Sequence, residues 1–455
     1  MALSVVIMAA GKGTRMRSAR PKVLHTLGGK PLLGHVLATA EALAPQPCIV
    51  VTGHGAEAIE SAFQHDGRVF VRQMPQLGTG HAVQQAVPAL PGDGVTLVLN
   101  GDVPLIREAT LRSLTEACAG TRLALLTVKL ADPFGYGRIV RADTGAVRAI
   151  VEEKDATPAQ RQIAEVYTGI LAAPTALLKQ WLARLTNQNA QGEYYLTDVV
   201  ALAVADGVEV CTACVDSETE VLGVNSPAQL ADLERRLQRQ HADALMAGGV
   251  RLADPARFDL RGRLTCGADV EIDVGCVFEG TVAVGDNVRI GPHCVIRDAQ
   301  IADGAVIHPF THIEGASVGA GSLIGPFARL RPGAKLGQEV HIGNFVEVKN
   351  STLANGAKAN HLAYLGDATV GERVNYGAGS ITANYDGANK HRTTIGADVH
   401  VGSNCVLVAP VTIGAGATIG GGSTINKTVP PGSLAIGRAR QVMFPDWERP
   451  KKQPK

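Results

Sequence analysis

The stretch VGAGSLIGPFARLRPGAKLGQEVHIGNFVEV, residues 318–348, decides the fold. A large aliphatic recurs at every sixth place, Val318, Ile324, Leu330, Leu336, Ile342 and Val348, and a small residue sits four places after each of the first five, from Ser322 to Val346. A period of six is neither the 3.6 of a helix nor the two of a long strand. It is the pattern of a hexapeptide parallel β-helix, in which three hexads make one triangular coil. Aliphatics then stack from coil to coil into a core that no single coil could close.

The period extends both ways. It begins at Ile272 and runs through Phe278, Val284, Ile290, Ile296, Ile301, Ile307 and Ile313; beyond Leu353 it continues less cleanly through Leu365, Val370 and Tyr376, and it returns from Ile395 to Ile425. Cys276, Cys294 and Cys405 fall on the small interior places. Glycine commonly follows the aliphatic, as at Gly285, Gly319 and Gly343, which suits tight corners or unusual backbone angles. Thirteen residues separate Thr382 from Ile395 where six are expected, so a loop over 384–393 must leave the coil. It carries Asn384, Tyr385, Asn389, Lys390, His391 and Arg392, and reads either as a solvated loop or as part of a binding face. Arg331 and Lys349 occupy the corner place usually given to glycine, while His361, Tyr364 and Asn375 also fall outside the interior places.

Composition bounds the rest. The chain has 455 residues with 43 Lys+Arg against 42 Asp+Glu and 45% hydrophobic residues, which excludes a disordered chain and a strongly basic nucleic-acid surface. No apolar run approaches 18 residues, so no membrane span is expected. The first ten residues lack a basic leader, and the eight cysteines show no framework spacing, so a cytoplasmic protein is expected. Cys211 and Cys214 form one C-x-x-C without a second pair, which leaves two ordinary thiols.

Ser226-Pro227, then Leu230, Leu233, Leu237 and Leu245, then Gly248-Gly249 predict a helix over 226–249 with a serine cap and a glycine stop. It would join a domain over 1–225 to the repeats over 250–444, with a polar tail over 445–455. Strand-like runs at 4–8, 48–52, 96–99 and 123–128 alternate with helical stretches, as in an α/β domain with a mainly parallel sheet. Ligands then belong at the carboxyl ends of strands. There the first strand is followed by A-A-G-K-G-T-R-M, residues 9–16, with Pro21-Lys22 beyond. This is neither a Walker loop nor a full dinucleotide fingerprint; it is a phosphate cradle or a plain tight turn, and Lys12, Arg15 and Lys22 favour the cradle. Asp102, in N-G-D-V-P, is either a Mg²⁺ ligand completed by substrate phosphate or a turn-stabilising aspartate.

Taken together, G-K-G-T-R-M with P-K, Q-M-P-Q-L-G-T-G-H-A at 73–82, G-D-V-P, G-Y-G-R at 135–138 and a hexapeptide solenoid with N-Y-D-G-A-N-K resemble the bacterial bifunctional N-acetylglucosamine-1-phosphate uridyltransferase/glucosamine-1-phosphate acetyltransferase family over essentially the whole chain. The resemblance implies a Rossmann-like α/β nucleotidyltransferase domain followed by a left-handed parallel β-helix. It implies acetyl transfer from acetyl-CoA to glucosamine 1-phosphate in the solenoid, then coupling of the product to UTP with release of pyrophosphate. It also implies a homotrimer supplying precursors for peptidoglycan and lipopolysaccharide, without nucleic-acid or membrane partners.

By position, the resemblance assigns Arg15 and Lys22 to nucleotide phosphates, Gln73, Gly78 and Thr79 to uracil, Asp102 and Asn225 to Mg²⁺, and Gly137, Glu152 and the residue at Tyr167 to the acetylated sugar. In the solenoid it assigns Arg331, Lys349 and Lys390 to the phosphate of glucosamine 1-phosphate, Tyr364 and Asn375 to its sugar, and His361 to the general base. Asn384, Tyr385 and Ser403 would position substrate and stabilise the oxyanion; acetyl-CoA would lie along Ala378, Ser403, Gly421 and Arg438. The family's usual Asn is Tyr167 here, its tyrosine before G-D-V-P is Asn100, and its frequent alanine is Gly421. The rival readings are a solenoid that only assembles or regulates a nucleotidyltransferase, a non-enzymatic scaffold, and a metal hydratase using His308 and His312. The outward set Arg331, Lys349, His361 and Lys390 separates them, because a purely structural solenoid has no need of it.

Overall fold

The computed structural model describes residues 2–452. They form two compact units that divide between Leu237 and Gln238. In the first, strands β1 (Leu3–Met8), β2 (Cys48–Thr52), β3 (Arg68–Arg72), β4 (Val95–Asn100), β5 (Leu123–Lys129), β8 (Glu165–Pro174) and β9 (Val210–Val215) build a sheet in the order β9-β5-β8-β4-β1-β2-β3. The hairpin of β6 (Arg138–Arg141) and β7 (Val147–Val151) adds to β8. Only β8 runs antiparallel to its neighbours β4 and β5; the other main pairings are parallel. Both faces are buried, so these strands are continuous apolar runs: Val5, Val6 and Ile7 are fully buried, as are Leu97, Val98 and Leu99.

The chain leaves β1 toward β2 on one side and reaches β4 on the other, so β1 and β4 flank the switch point where an open α/β sheet binds ligands. The glycine-rich loop follows β1 and Asp102 follows β4, which puts both at that crevice.

The helix Pro227–Ala247 begins as expected: the Ser226 carbonyl accepts from Leu230 N, and the Ser226 hydroxyl accepts from Gln229 N at 3.2 Å. At the other end Val250 N donates to Leu245 O, with Gly249 in the left-handed region at φ 95°. Its first half contributes Leu233 and Leu237 to a small cluster with Met16, Leu27 and Leu32. Its second half caps the solenoid: Ala242 joins the solenoid core, while Gln238 exchanges two hydrogen bonds with the Leu260 backbone, at 2.9 and 2.7 Å. A capped end is what a stacked-repeat core requires.

The second unit is the triangular prism. An 11-stranded sheet forms one face, and a 17-stranded set of short parallel strands winds over the other two. Equivalent aliphatics pair in register, Ile313 on Leu330 on Val348, and all three are fully buried. The small places are interior as expected, with Cys276, Cys294 and Cys405 fully buried.

The corner glycines correct one expectation. Those that follow the aliphatic keep ordinary backbone angles, apart from Gly325 at φ 100°. They are glycine because the next coil approaches too closely: a Cβ at Gly319 would lie 2.1 Å from the Gly337 carbonyl oxygen, and one at Gly343 would lie 1.9 Å from that of Asn360. The left-handed place comes two residues later and holds Phe310, Phe327, Glu339, Phe345 and Leu362 as well as glycine.

Candidate active sites

At the crevice of the first unit, the loop after β1 folds so tightly that a Cβ on Gly13 would lie 2.7 Å from Lys22 Cβ. Close approach therefore explains that glycine, and it holds Lys22 beside Arg15, exposed on the single turn Thr14–Met16. Lys22 Nζ donates to Asp102 Oδ2 at 2.5 Å and to Asn225 Oδ1 at 3.0 Å. The two expected metal ligands are thus brought together, with an ammonium bridging the oxygens a cation would take. Among the described residues no group of three or more His, Cys, Asp or Glu could hold a metal. A carboxylate and an amide oxygen instead fit a hard cation that keeps waters and takes further oxygens from a phosphate.

Gln73 is buried, and its amide donates to Gly78 O at 2.9 Å. Gly78, at φ 110°, leaves no room for a side chain, since a Cβ would lie 2.6 Å from Tyr194 O. Thr79 opens the helix Thr79–Ala86 and its hydroxyl accepts from Leu196 N at 3.1 Å. These three residues therefore form one rigid rim. On the other side, Tyr167 N donates to Gly137 O at 2.8 Å, and a Gly137 Cβ would sit 3.6 Å from Glu152 Oε2, so the three expected sugar residues also meet. Burial pushes the Glu152 carboxyl above the usual carboxylate range, with Asp198 and Asp155 adding to it against a hydrogen bond from Thr197. Tyr167 is buried with its hydroxyl unpartnered, and burial with the nearby Glu152 raises the phenol. Asn100, where the family places tyrosine, donates to Thr168 O at 3.2 Å.

On the prism, Arg331 and Lys349 stand one coil apart at the same corner. Arg331 Nη1 pairs with Glu347 at 2.8 Å, and the next corner place is Gly366, whose open side Tyr364 covers with its phenol. Lys390 returns to this spot from the inserted hairpin, where Tyr385 and Lys390 form an isolated bridge. Asp386 locks that hairpin: it accepts from Asn389 N and His391 Nε2, each at 2.6 Å, and these bonds hold its carboxyl well below the usual range. The nearby Lys349 ammonium lowers Lys390, as two cations gathered for one anion would.

Sequence reasoning missed the residue that gathers them. Asp367, 6% exposed, accepts from Asn350 Nδ2 at 2.5 Å and from Asn384 Nδ2, and lies 3.7 Å from Lys349 Nζ. Asn384 is therefore nearly buried rather than part of a solvated loop, and Thr393 has already rejoined the coil as a buried strand residue.

His361 is exposed at the end of strand Lys358–His361. It belongs to a column along one prism edge. Leu362 N donates to Asn344 O, Gly379 N to His361 O, Asn404 N to Ala378 O and Gly422 N to Ser403 O, at 3.0, 3.2, 2.7 and 2.8 Å. Asn344, His361, Ala378, Ser403 and Gly421 thus stand above one another in successive coils, and Arg438 Nη1 closes the column by donating to Gly421 O at 2.6 Å. Below His361 the next place along the same edge is filled by stacked rings, His293 on Phe310 on Phe327 on Phe345, with centroids 4.9 to 5.4 Å apart. Above Leu362 the same places hold Gly379, Asn404 and Gly422, so the edge opens where the rings end. Asn375 lies on the adjoining face, paired with Lys358 and His400. Tyr385 is exposed, and its hydroxyl donates to Gly387 O at 2.6 Å. Among the described residues no hydrogen bond or ion pair joins Arg331, Lys349 or Lys390 to Asn375 or to Ser403.

The comparisons with known proteins agree with this two-part construction. Residues 5–247 match the MobA-like NTP transferase domain, residues 260–352 the GMPPB C-terminal domain, and residues 392–427 the bacterial transferase hexapeptide of six repeats. The protein named Bifunctional protein GlmU from Methylibium petroleiphilum is 73% identical over 99% of this chain and 100% of its own length. Its namesakes from Acidovorax sp. strain JS42 and from Aromatoleum aromaticum are 67% and 58% identical, each covering at least 99% of both chains. With that identity sustained across both units, the chain belongs to the bifunctional GlmU family.

Proposed function

We propose that the prism transfers the acetyl group of acetyl-CoA to the amine of glucosamine 1-phosphate, and that the α/β unit couples the resulting N-acetylglucosamine 1-phosphate to UTP, giving UDP-N-acetylglucosamine and pyrophosphate. The observation that carries this reading is the edge column: an exposed imidazole at the foot of an open run of small residues closed by an arginine, beside a corner that gathers Arg331, Lys349 and Lys390.

In the prism, the three cations hold the sugar phosphate, Tyr364 and Asn375 hold the sugar, and Ala378, Ser403, Gly421 and Arg438 line the path of the acyl carrier. His361 takes the proton that the attacking amine loses. Asn384, Tyr385 and Ser403 position the substrates and stabilise the oxyanion formed as nitrogen bonds to the thioester carbon, before the carbon–sulfur bond breaks. In the α/β unit, Arg15 and Lys22 hold the nucleotide phosphates, Gln73, Gly78 and Thr79 hold uracil, and Gly137, Glu152 and Tyr167 hold the sugar. A sugar-phosphate oxygen attacks the α-phosphorus and pyrophosphate leaves, with no side-chain nucleophile. Asp102 and Asn225 would hold Mg²⁺, which when bound offsets the negative charge of the two phosphate groups brought together.

We further infer a homotrimer. Phe310, Phe327, Phe345 and Leu362 are 48 to 63% exposed in a continuous column, and Met443, Phe444 and Trp447 are exposed beyond the repeats, so this apolar surface suits cover by neighbouring copies. No helix among the described residues is long and apolar enough to cross a membrane. All eight cysteines are free thiols, in keeping with a cytoplasmic setting.

The test is to supply glucosamine 1-phosphate, acetyl-CoA, UTP and Mg²⁺, and to identify products by mass. His361→Ala should lower acetyl transfer by about a hundredfold or more while coupling of N-acetylglucosamine 1-phosphate to UTP persists. Parallel loss of both in a folded protein contradicts separate sites.

A further inference from the structure

His361 does not stand alone. Strands His341–Asn344 and Lys358–His361 pair in parallel with Asn344 opposite His361, one coil apart. Asn344 Oδ1 lies 2.9 Å from His361 Nδ1. The backbone fixes this alignment, because Leu362 N donates to Asn344 O at 3.0 Å and Leu362 turns the corner at φ 50°. A carbonyl oxygen can only accept, so it selects the imidazole that carries its proton on Nδ1 and presents the Nε2 lone pair.

We propose that Asn344 is a positioning residue for acetyl transfer, holding His361 in the tautomer and ring orientation that let Nε2 take the amine's proton. This rests on the reading of His361 as the base. An amide suits the task because it orients the ring without adding charge. A carboxylate in its place would stabilise the imidazolium and leave less of the free base. On this face His361 acts with Lys358 and His308 on His341, which burial first and then these three groups lower. Across the Leu362 corner stand Tyr364 and its partner Glu347.

The experiment is the pH–rate profile of acetyl transfer by the full-length protein and by Asn344→Leu, Asn344→Asp and His361→Ala, with UTP coupling and the thermal transition as folding controls. Asn344→Leu should lower kcat about ten- to a hundredfold with little change in either KM, since the base is present but unoriented. Asn344→Asp keeps an acceptor, so its best rate should stay within a few-fold of the parent while the acid limb of its profile moves up by about one pH unit or more. A folded Asn344→Leu enzyme with the parental rate overturns the proposal, as does an Asn344→Asp profile that falls in height without shifting. Equal collapse of both variants overturns it too, because the amide would then be donating. Full activity in His361→Ala instead removes the base itself, an outcome distinct from any of these.

Discussion

Asp367 meets no substrate in the proposed chemistry, yet the phosphate-binding corner depends on it. Burial pushes its carboxyl up, but hydrogen bonds from Asn350 and Asn384 and the charges of Lys349 and Lys390 outweigh burial and leave it below the ordinary range. A carboxylate depressed on folding contributes stability that is present above its unfolded value of about 3.9 and is lost as pH falls through the folded value. Asp367→Asn should therefore destabilise the prism by about 1 to 3 kcal/mol at neutral pH, leaving two lysines facing each other and donors facing a donor. Urea midpoints measured at pH 7 and again near pH 3 check this, with the gap between variant and parent narrowing at the lower pH. The residue escaped the sequence reading for a physical reason. It has a left-handed backbone, as do Asp298, Asn287, Asp398 and Asn404 at other turns, so its type carried no distinguishing signal. Arg331 and Lys349 were legible because they broke a rule that their neighbours kept.

At the scale of the coil, the two kinds of glycine have different physics and should respond differently to one added methyl group. Gly321 sits in the left-handed place at φ 66°, with its nearest possible contact 3.6 Å away, so Gly321→Ala meets only backbone strain of about 1 to 2 kcal/mol. Gly319 has an ordinary angle, but an added Cβ would fall 2.1 Å from the Gly337 carbonyl oxygen, and two coils would have to separate. Gly319→Ala should lower the thermal midpoint more than Gly321→Ala; the reverse order would mean that backbone angle, and not coil spacing, dictates the corner glycines. The prism itself was legible from its aliphatics because each repeat buries the same place against its neighbour, so Ile324, Leu330 and Leu336 report one geometry many times. The rim of the α/β crevice was less so. Gly78 gains its meaning from Tyr194, over a hundred residues onward, and no local spacing conveys that contact.

At the scale of the whole molecule, each unit has its own core, so damage to assembly of the prism should reach one reaction and not the other. The exposed ring column offers the lever. Phe327 stacks between Phe310 and Phe345 at a left-handed corner place that accepts a glutamate elsewhere, at Glu339. Phe327→Glu can therefore keep the single-chain fold while putting a carboxylate into each copy of the proposed interface, where like charges would meet with little solvent. Light scattering should show a shift from trimer toward monomer. Acetyl transfer should fall with it, because the open edge carrying His361 and Ser403 continues the ring column that a neighbouring copy is proposed to cover, whereas UTP coupling should remain within about twofold. A trimer that survives the substitution would place the contact elsewhere on the prism; a monomer with full acetyl transfer would mean that one chain completes the site alone.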